Sequence, residues 1–222
     1  MATDFFIIIV SYLLGSIPFG YIFAKISGKE ILKIGWRKTS GSNVFKNVGT
    51  WQGIITGLCD VSKGFLAVCL AQELNLSPLV QAFCGAAAVT GHNWSLFLKF
   101  SGGRGIGTLI GAILPFSFEV LGFALIPLIL FALIWNAAIG TLLFLIVLLF
   151  LSFYFGCFET VGILTLVCLS PIFIKRLSPI EEIKKSENRN VLIRNRLIFD
   201  DDIARFDLRI TRILKKLTKA QN

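Results

Sequence analysis

Seven apolar stretches, at about 5–26, 52–72, 78–98, 105–118, 120–135, 139–155 and 158–174, leave this chain few ways to fold. A helix needs about 20 predominantly apolar residues to cross a bilayer, with a range of about 17–25. The first three stretches meet that length, and several later ones are short by that measure, so they are expected to tilt, to merge or to extend into their flanks. Charge is scarce: 16% of the residues are charged and the mean hydropathy is +0.78, against about 25% charged residues in an ordinary soluble domain. The chain is therefore predicted to be all-α, a polytopic membrane helix bundle of about seven transmembrane helices. Its first stretch, Phe5 to Ile26, is too long for a signal-peptide core and has no basic region before it, so it is expected to be a retained helix.

The connections between stretches alternate in charge. Asp4, Glu73, Glu119 and Glu159 fall at the N-terminus and in alternate connections that carry no Lys or Arg. The other connections hold Lys25, Lys29, Lys33, Arg37, Lys38 and Lys46, then Lys99 and Arg104, then a basic tail. The positive-inside rule places the N-terminus outside and the C-terminus in the cytoplasm. The connection at Trp135-Asn136 is cytoplasmic in this scheme but uncharged. This pattern already accounts for the net charge of +9, which therefore gives no reason to expect nucleic-acid binding.

Few polar groups lie within the stretches. Asp60 and Lys63, three residues apart, share one helix face and are expected to form a structural ion pair facing the bundle interior, with a direct substrate role as the alternative. The five cysteines (Cys59, Cys69, Cys84, Cys157 and Cys168) form no CxxC pair, which argues against a metal site or a disulfide frame. His92 is the single histidine, so a His-rich metal centre is excluded and His92 is the one candidate imidazole base, with a structural histidine bonded to a backbone carbonyl as the alternative.

The richest motif runs from Gly91 to Thr108, where Ser101-Gly102-Gly103-Arg104-Gly105 sets a basic glycine-rich turn between two apolar segments. Glycines allow close backbone approach, and consecutive N–H groups there can cradle phosphate oxygens. Arg104 adds a planar fork of donors. A plain tight turn between helices is the alternative reading.

Four segments in order, Gly15–Tyr21, Ser42–Gly49, Asp60–Phe65 and Gly91–Thr108, resemble the bacterial acyl-phosphate:glycerol-3-phosphate acyltransferases, the PlsY family. The resemblance covers about residues 5–177 and implies a seven-helix inner-membrane enzyme with cytoplasmic motifs. It implies transfer of an acyl group from acyl phosphate to the 1-hydroxyl of glycerol 3-phosphate, forming lysophosphatidic acid in phospholipid synthesis. No cofactor and no metal are expected. The implied roles are catalytic for Arg104 and His92, and substrate-binding for Ser42, Asn43, Lys46, Gly102, Gly103, Gly105, Thr108 and Arg176.

The match is uneven. In the first motif Ser42, Asn43 and Lys46 fit, but Trp36-Arg37-Lys38 stands where the family has Ser-Gly-Asn. In the second, Arg104 replaces the usual Lys. In the third, Ile174, Arg176 and Leu177 fit, while Ser170 and Phe173 occupy the His and Asn positions. Gly140-Thr141 is the nearest equivalent of a serine-rich turn. Two alternatives follow from these departures: a non-catalytic paralogue serving as a membrane scaffold or lipid and acyl-phosphate binder, and an acyltransferase with a different acceptor.

Residues 178–222 form a compositional break, expected to be a cytoplasmic basic tail after a 1–177 bundle. Asp200-Asp201-Asp202 reads as a helix start. Ile203, Phe206, Ile210, Ile213, Leu214 and Leu217 then recur on one face among basic residues, predicting an amphipathic helix for the membrane surface or a protein partner of 200–222. Val191–Phe199 is left open between strand and helix.

Overall fold

The computed structural model describes residues 1–204. As expected, every regular element described is helical. The tail stripe from residue 205 onward lies outside the described residues.

The first apolar stretch is one 25-residue path from Ala2 to Ile26, broken in the middle into α1 (Ala2–Ser16) and α2 (Phe19–Ile26). The break falls at Pro18, which has no N–H to continue the α1 ladder and instead accepts from Tyr21 and Ile22 at 3.0 Å each. A short α3 (Gly41–Asn47) follows, then α4 (Thr50–Glu73), whose 24 residues extend roughly 36 Å at about 1.5 Å per residue. The remaining helices are α5 (Pro78–Asn93), α6 (Ile106–Ile113), α7 (Phe118–Ile134), α8 (Ala137–Tyr154), α9 (Ile163–Leu177, entered through a π turn over Phe158–Gly162), α10 (Ile180–Lys185) and α11 (Arg189–Phe199). Val191–Phe199 is thus helical.

Several starts follow from local chemistry. Ser77, Ser117 and Asn136 accept from the first-turn N–H groups of Val80, Val120 and Ala138, and Pro78 takes the first position of α5. Asn136 thereby makes the uncharged Trp135-Asn136 connection a tight turn between two helices that pack on each other.

Helix α5 is the centre of the bundle and touches α1, α4, α6 and α9. Its core face is built from small residues, including Ala82, Gly85, Ala86, Ala88 and Gly91, so its neighbours approach its backbone closely. Val68, Val89, Leu109, Phe144, Leu148 and Leu164 fill the space between helices. Large apolar side chains such as Phe5, Phe6, Ile126, Leu133, Phe150 and Phe153 point outward, as a lipid-facing surface requires.

Among the described residues four helical paths are long and apolar enough to cross a membrane: Ala2–Ile26, Thr50–Glu73, Ala137–Tyr154 and Phe158–Leu177. Helix α7 is apolar but has 17 residues, and α5 has 16. The stretch at 105–118 condenses into the eight residues of α6, roughly 12 Å long at about 1.5 Å per residue. That is well short of a hydrocarbon core of about 30 Å.

Candidate functional site

Four connections meet at one end of the bundle. Thr39 N–H, before α3, donates to Gly102 O at 3.3 Å, before α6. Arg176 Nη2, at the end of α9, donates to Ala138 O at 3.1 Å, just past the α7–α8 turn. The chain after α9 returns to the same place, where Lys38 Nζ lies 3.2 Å from Asp200 Oδ1. The basic connections and the uncharged Trp135-Asn136 turn therefore share one end, as the alternation of charge requires.

The glycine-rich loop is held by its own backbone. Phe100 N–H donates to Ser95 O at 2.8 Å, Ser95 N–H to Ser101 O at 3.0 Å, and Gly103 N–H to His92 O at 3.0 Å. Gly105 sits at φ 82, a left-handed conformation that strains any side chain, and opens α6 from there. The first N–H groups of a helix have no intrahelical acceptor, so the α6 start offers donors beside the loop. Gly103 is pressed against the His92 ring, which a Cβ would strike.

His92 Nδ1 lies 3.3 Å from Asp60 Oδ1, and Lys63 Nζ lies 3.0 Å from the same oxygen. Lys63 also donates to Ile17 O at 3.0 Å, at the α1–α2 break. All three side chains are buried. The expected Asp60–Lys63 pair is present, and it is larger than the sequence indicated: a three-residue cluster joins α4 to α5 and fixes the imidazole beneath the loop.

The cations converge on an aromatic plate. Arg104 stacks over Trp36 at 4.6 Å and Lys46 over the same ring at 4.9 Å, an arrangement favourable for a planar guanidinium. Beside them is a cavity of about 260 Å³ whose lining includes Trp36, Lys38, Lys46, Arg176, Arg196 and Asp200. Burial pulls the Lys38 ammonium below its ordinary range; Asp200 pushes the other way, and Arg104 adds to the fall.

The sequence-predicted residues divide by position. Arg104, Lys46 and the glycines 102, 103 and 105 gather at this end. Arg176 lines the cavity, but its guanidinium also clamps backbone, with Nη1 on Leu197 O at 2.5 Å and Nη2 on Ala138 O at 3.1 Å. Asn43 is fully buried and braces the loop before α3: Nδ2 donates to Lys38 O at 2.8 Å, and Oδ1 accepts from Trp36 N–H at 3.1 Å. Ser42 is exposed, its hydroxyl 3.4 Å from that of Ser40. Thr108 is buried within α6, and its hydroxyl has no hydrogen-bond partner among the described residues. His92 is buried between Asp60 and Gly103, in the geometry of a support for the loop.

Sequence reasoning missed the roles of Trp36, Lys38 and Asp200. Asp200 does not open a helix: it closes α11 at φ 50, and its carboxylate pairs with both Lys38 and Arg104. Lys175 was also overlooked; it is buried beside Trp94 at 5.7 Å. Its place next to Arg176 was the available signal.

A helical bundle of apolar spans, with a glycine–arginine loop and a cationic cavity gathered at one end, defines a polytopic membrane protein equipped to hold an anionic group there. A family model described as glycerol-3-phosphate acyltransferase matches residues 5–186. The glycerol-3-phosphate acyltransferase of Lawsonia intracellularis (strain PHE/MN1-00) is 35% identical over 193 residues, covering 85% of this chain and 96% of that relative. That of Prochlorococcus marinus (strain MIT 9312) is 37% identical over 155 residues, covering 68% and 78%. The crystal structure of PlsY (YgiH), an integral membrane glycerol 3-phosphate acyltransferase, in its glycerol 3-phosphate form superposes with a TM-score of 0.72 at 26% identity, covering 82% of this chain and 92% of that one. The chain belongs to the glycerol-3-phosphate acyltransferase family.

Proposed function

We infer that this chain is a membrane enzyme that transfers a fatty acyl group to glycerol 3-phosphate, forming lysophosphatidic acid for phospholipid synthesis, with acyl phosphate as the donor. The observation that carries the reading is the pair of cations, Arg104 and Lys46, stacked on Trp36 beside the glycine loop, in a chain whose relatives are named glycerol-3-phosphate acyltransferase. In the reaction the glycerol hydroxyl oxygen attacks the acyl carbon. A carbon–oxygen ester bond forms, the bond from acyl carbon to phosphate oxygen breaks, and inorganic phosphate leaves. The hydroxyl proton passes to phosphate or solvent.

Phosphate is already a good leaving group, so the protein needs mainly to hold two anions together and to orient the hydroxyl. In this reading Gly102, Gly103 and Gly105 present backbone N–H groups to a phosphate, and Arg104 adds charge as negative charge develops in the transition state. Lys46 and Arg176 supply the facing cations, with Ser42 and Thr108 as hydroxyl groups nearby. Asn43 acts by holding the Trp36 loop, and His92 by holding Gly103 in place. No cofactor or metal enters the scheme.

The proposal includes seven spans, with the N-terminus outside and the basic end of the bundle in the cytoplasm of a bacterial inner membrane. Its support is the convergence of the basic connections on one end. It also keeps membrane lipid as the bundle's surroundings and a cytoplasmic protein as a partner for 200–222.

The test is turnover by purified protein given acyl phosphate and labelled glycerol 3-phosphate. Lysophosphatidic acid and inorganic phosphate should appear in equal amounts. Arg104→Ala should lower the rate at least about 10²-fold, the usual loss when one transition-state charge stabiliser is removed. A folded protein that forms neither product would refute the function, and full activity in Arg104→Ala would remove the loop from the mechanism.

A further inference from the structure

Arg104, assigned above to a substrate phosphate, already holds an anion together with its neighbour Lys38, and that anion comes from the chain itself. Lys38 Nζ is 3.2 Å from Asp200 Oδ1, and Arg104 Nε pairs with Asp200 Oδ2. Asp200 and Lys38 are both buried, and Arg104 is partly exposed. We propose that Asp200 is a tethered competitor for the substrate phosphate: the 178–204 segment folds back so that its carboxylate occupies Lys38 and Arg104, and glycerol 3-phosphate gains the site by displacing it. This rests on the reading that the Arg104 loop takes a phosphate.

The tail is anchored to present this carboxylate. Arg196 Nη1 donates to Leu177 O at 3.0 Å and Pro179 O at 2.9 Å, while its other nitrogens reach Glu182 at 2.5 Å and Asp202 at 2.7 Å. Arg37, in the loop before α3, pairs with Glu182 through both carboxylate oxygens. Arg176 holds Leu197 O. These contacts fix the C-terminal end of α11, and Asp200 at φ 50 turns its side chain off that end into the cluster.

The chemistry favours exchange over simultaneous occupancy. A phosphate dianion needs the donors of Lys38 and Arg104 that the carboxylate engages. A monovalent carboxylate leaves one of the two positive charges uncompensated, whereas a dianion compensates both. The carboxylate is thus the weaker ligand, kept in place by its tether, as expected of a competitor that yields to substrate. Asp200 also lies beyond residue 186, where the family match ends. The device belongs to this chain's tail.

The experiment is equilibrium binding of labelled glycerol 3-phosphate to the detergent-solubilised full chain, which needs no turnover. If the tail occupies the site about nine-tenths of the time, Asp200→Asn tightens the dissociation constant roughly tenfold. An unchanged or weaker affinity overturns the proposal. Should Asp200→Asn fail to fold, Arg196→Gln carries the test, because it frees the tail anchor and leaves Lys38 and Arg104 intact. Tighter binding supports the competitor, and unchanged or weaker binding overturns it. Arg104→Gln separates the two levels of the argument. If it binds as the wild type does, the phosphate reading of the loop fails and the tail proposal falls with it. If it weakens binding while Asp200→Asn does not tighten it, the tail proposal alone fails.

Discussion

Two glycines on α4, seven residues apart, should respond to alanine with opposite signs. A Cβ at Gly64 would land on the carbonyl oxygen of Thr108 and near Ala112 N at 2.9 Å, both backbone atoms of α6. A Cβ at Gly57 meets nothing within 4 Å. In either helix position Gly→Ala gains about 0.8–1 kcal/mol of helix propensity. At Gly57 nothing opposes that gain. At Gly64 the obstructing atoms are backbone and cannot rotate away, so α6 has to move; such overpacking costs about 1–3 kcal/mol. The clash therefore exceeds the propensity gain at Gly64, with a net loss of up to about 2 kcal/mol. The approach is reciprocal, because a Cβ at Gly111 of α6 would strike Val61 O. Moving α6 also moves Gly105 and Arg104, which lead into it. Thermal unfolding of detergent-solubilised variants should show Gly57→Ala at or above the wild type and Gly64→Ala below it, with Gly64→Ala also losing acyltransferase rate. A Gly64→Ala protein as stable as Gly57→Ala and fully active would refute the claim that this close approach sets the position of the loop.

Two further outcomes follow from the charged groups. Asp60→Asn leaves Lys63 buried without its carboxylate and should destabilise the bundle by about 3–5 kcal/mol; a melting temperature within a degree of the wild type would show that the cluster holds nothing together. Burial acts to raise the Glu182 carboxyl, but hydrogen bonds from Arg37 and Arg196 outweigh it and hold it below the usual range. A depressed carboxylate stabilises above its ordinary value of 4.5, and that stabilisation is lost as pH falls through the folded value. Hydrogen exchange in 180–199 should therefore accelerate with acidification below that value, and Glu182→Gln should remove the pH dependence; an unchanged profile in the variant would assign the effect elsewhere.

The bundle was legible because continuous apolar stretches and alternating charges are local signals, each read within about 20 residues. The glycine loop was legible for the same reason. The stretch at 105–118, short for a span already in the sequence, holds an eight-residue α6 between Gly105 and Pro115. Contacts made by tertiary folding left no trace in the pattern. Asp60 was paired with Lys63 from helix spacing, but His92 reaches it from a different helix. Asn43 was named as substrate-binding from its match to the family's first motif, and its amide is engaged by the backbone of residues 34–38.

The same distinction explains the altered first motif. Judged locally, Trp36-Arg37-Lys38 removes small polar groups from a family position and reads as erosion. In the fold each of the three has a partner: Trp36 carries Arg104 and Lys46, Arg37 binds Glu182, and Lys38 binds Asp200. Two of these partners are acids of the returning tail, and the third contact holds the arginine that the tail acid also grips. A buried lysine is costly without a counter-charge, and so is a buried aspartate without a cation. Lys38 therefore makes structural sense only with an anion beside it, which in this fold is Asp200, and Asp200 is buried only with Lys38 and Arg104 beside it. The departures in the first motif and the added tail form one interlocked unit, so neither can be read as simple loss from a family pattern.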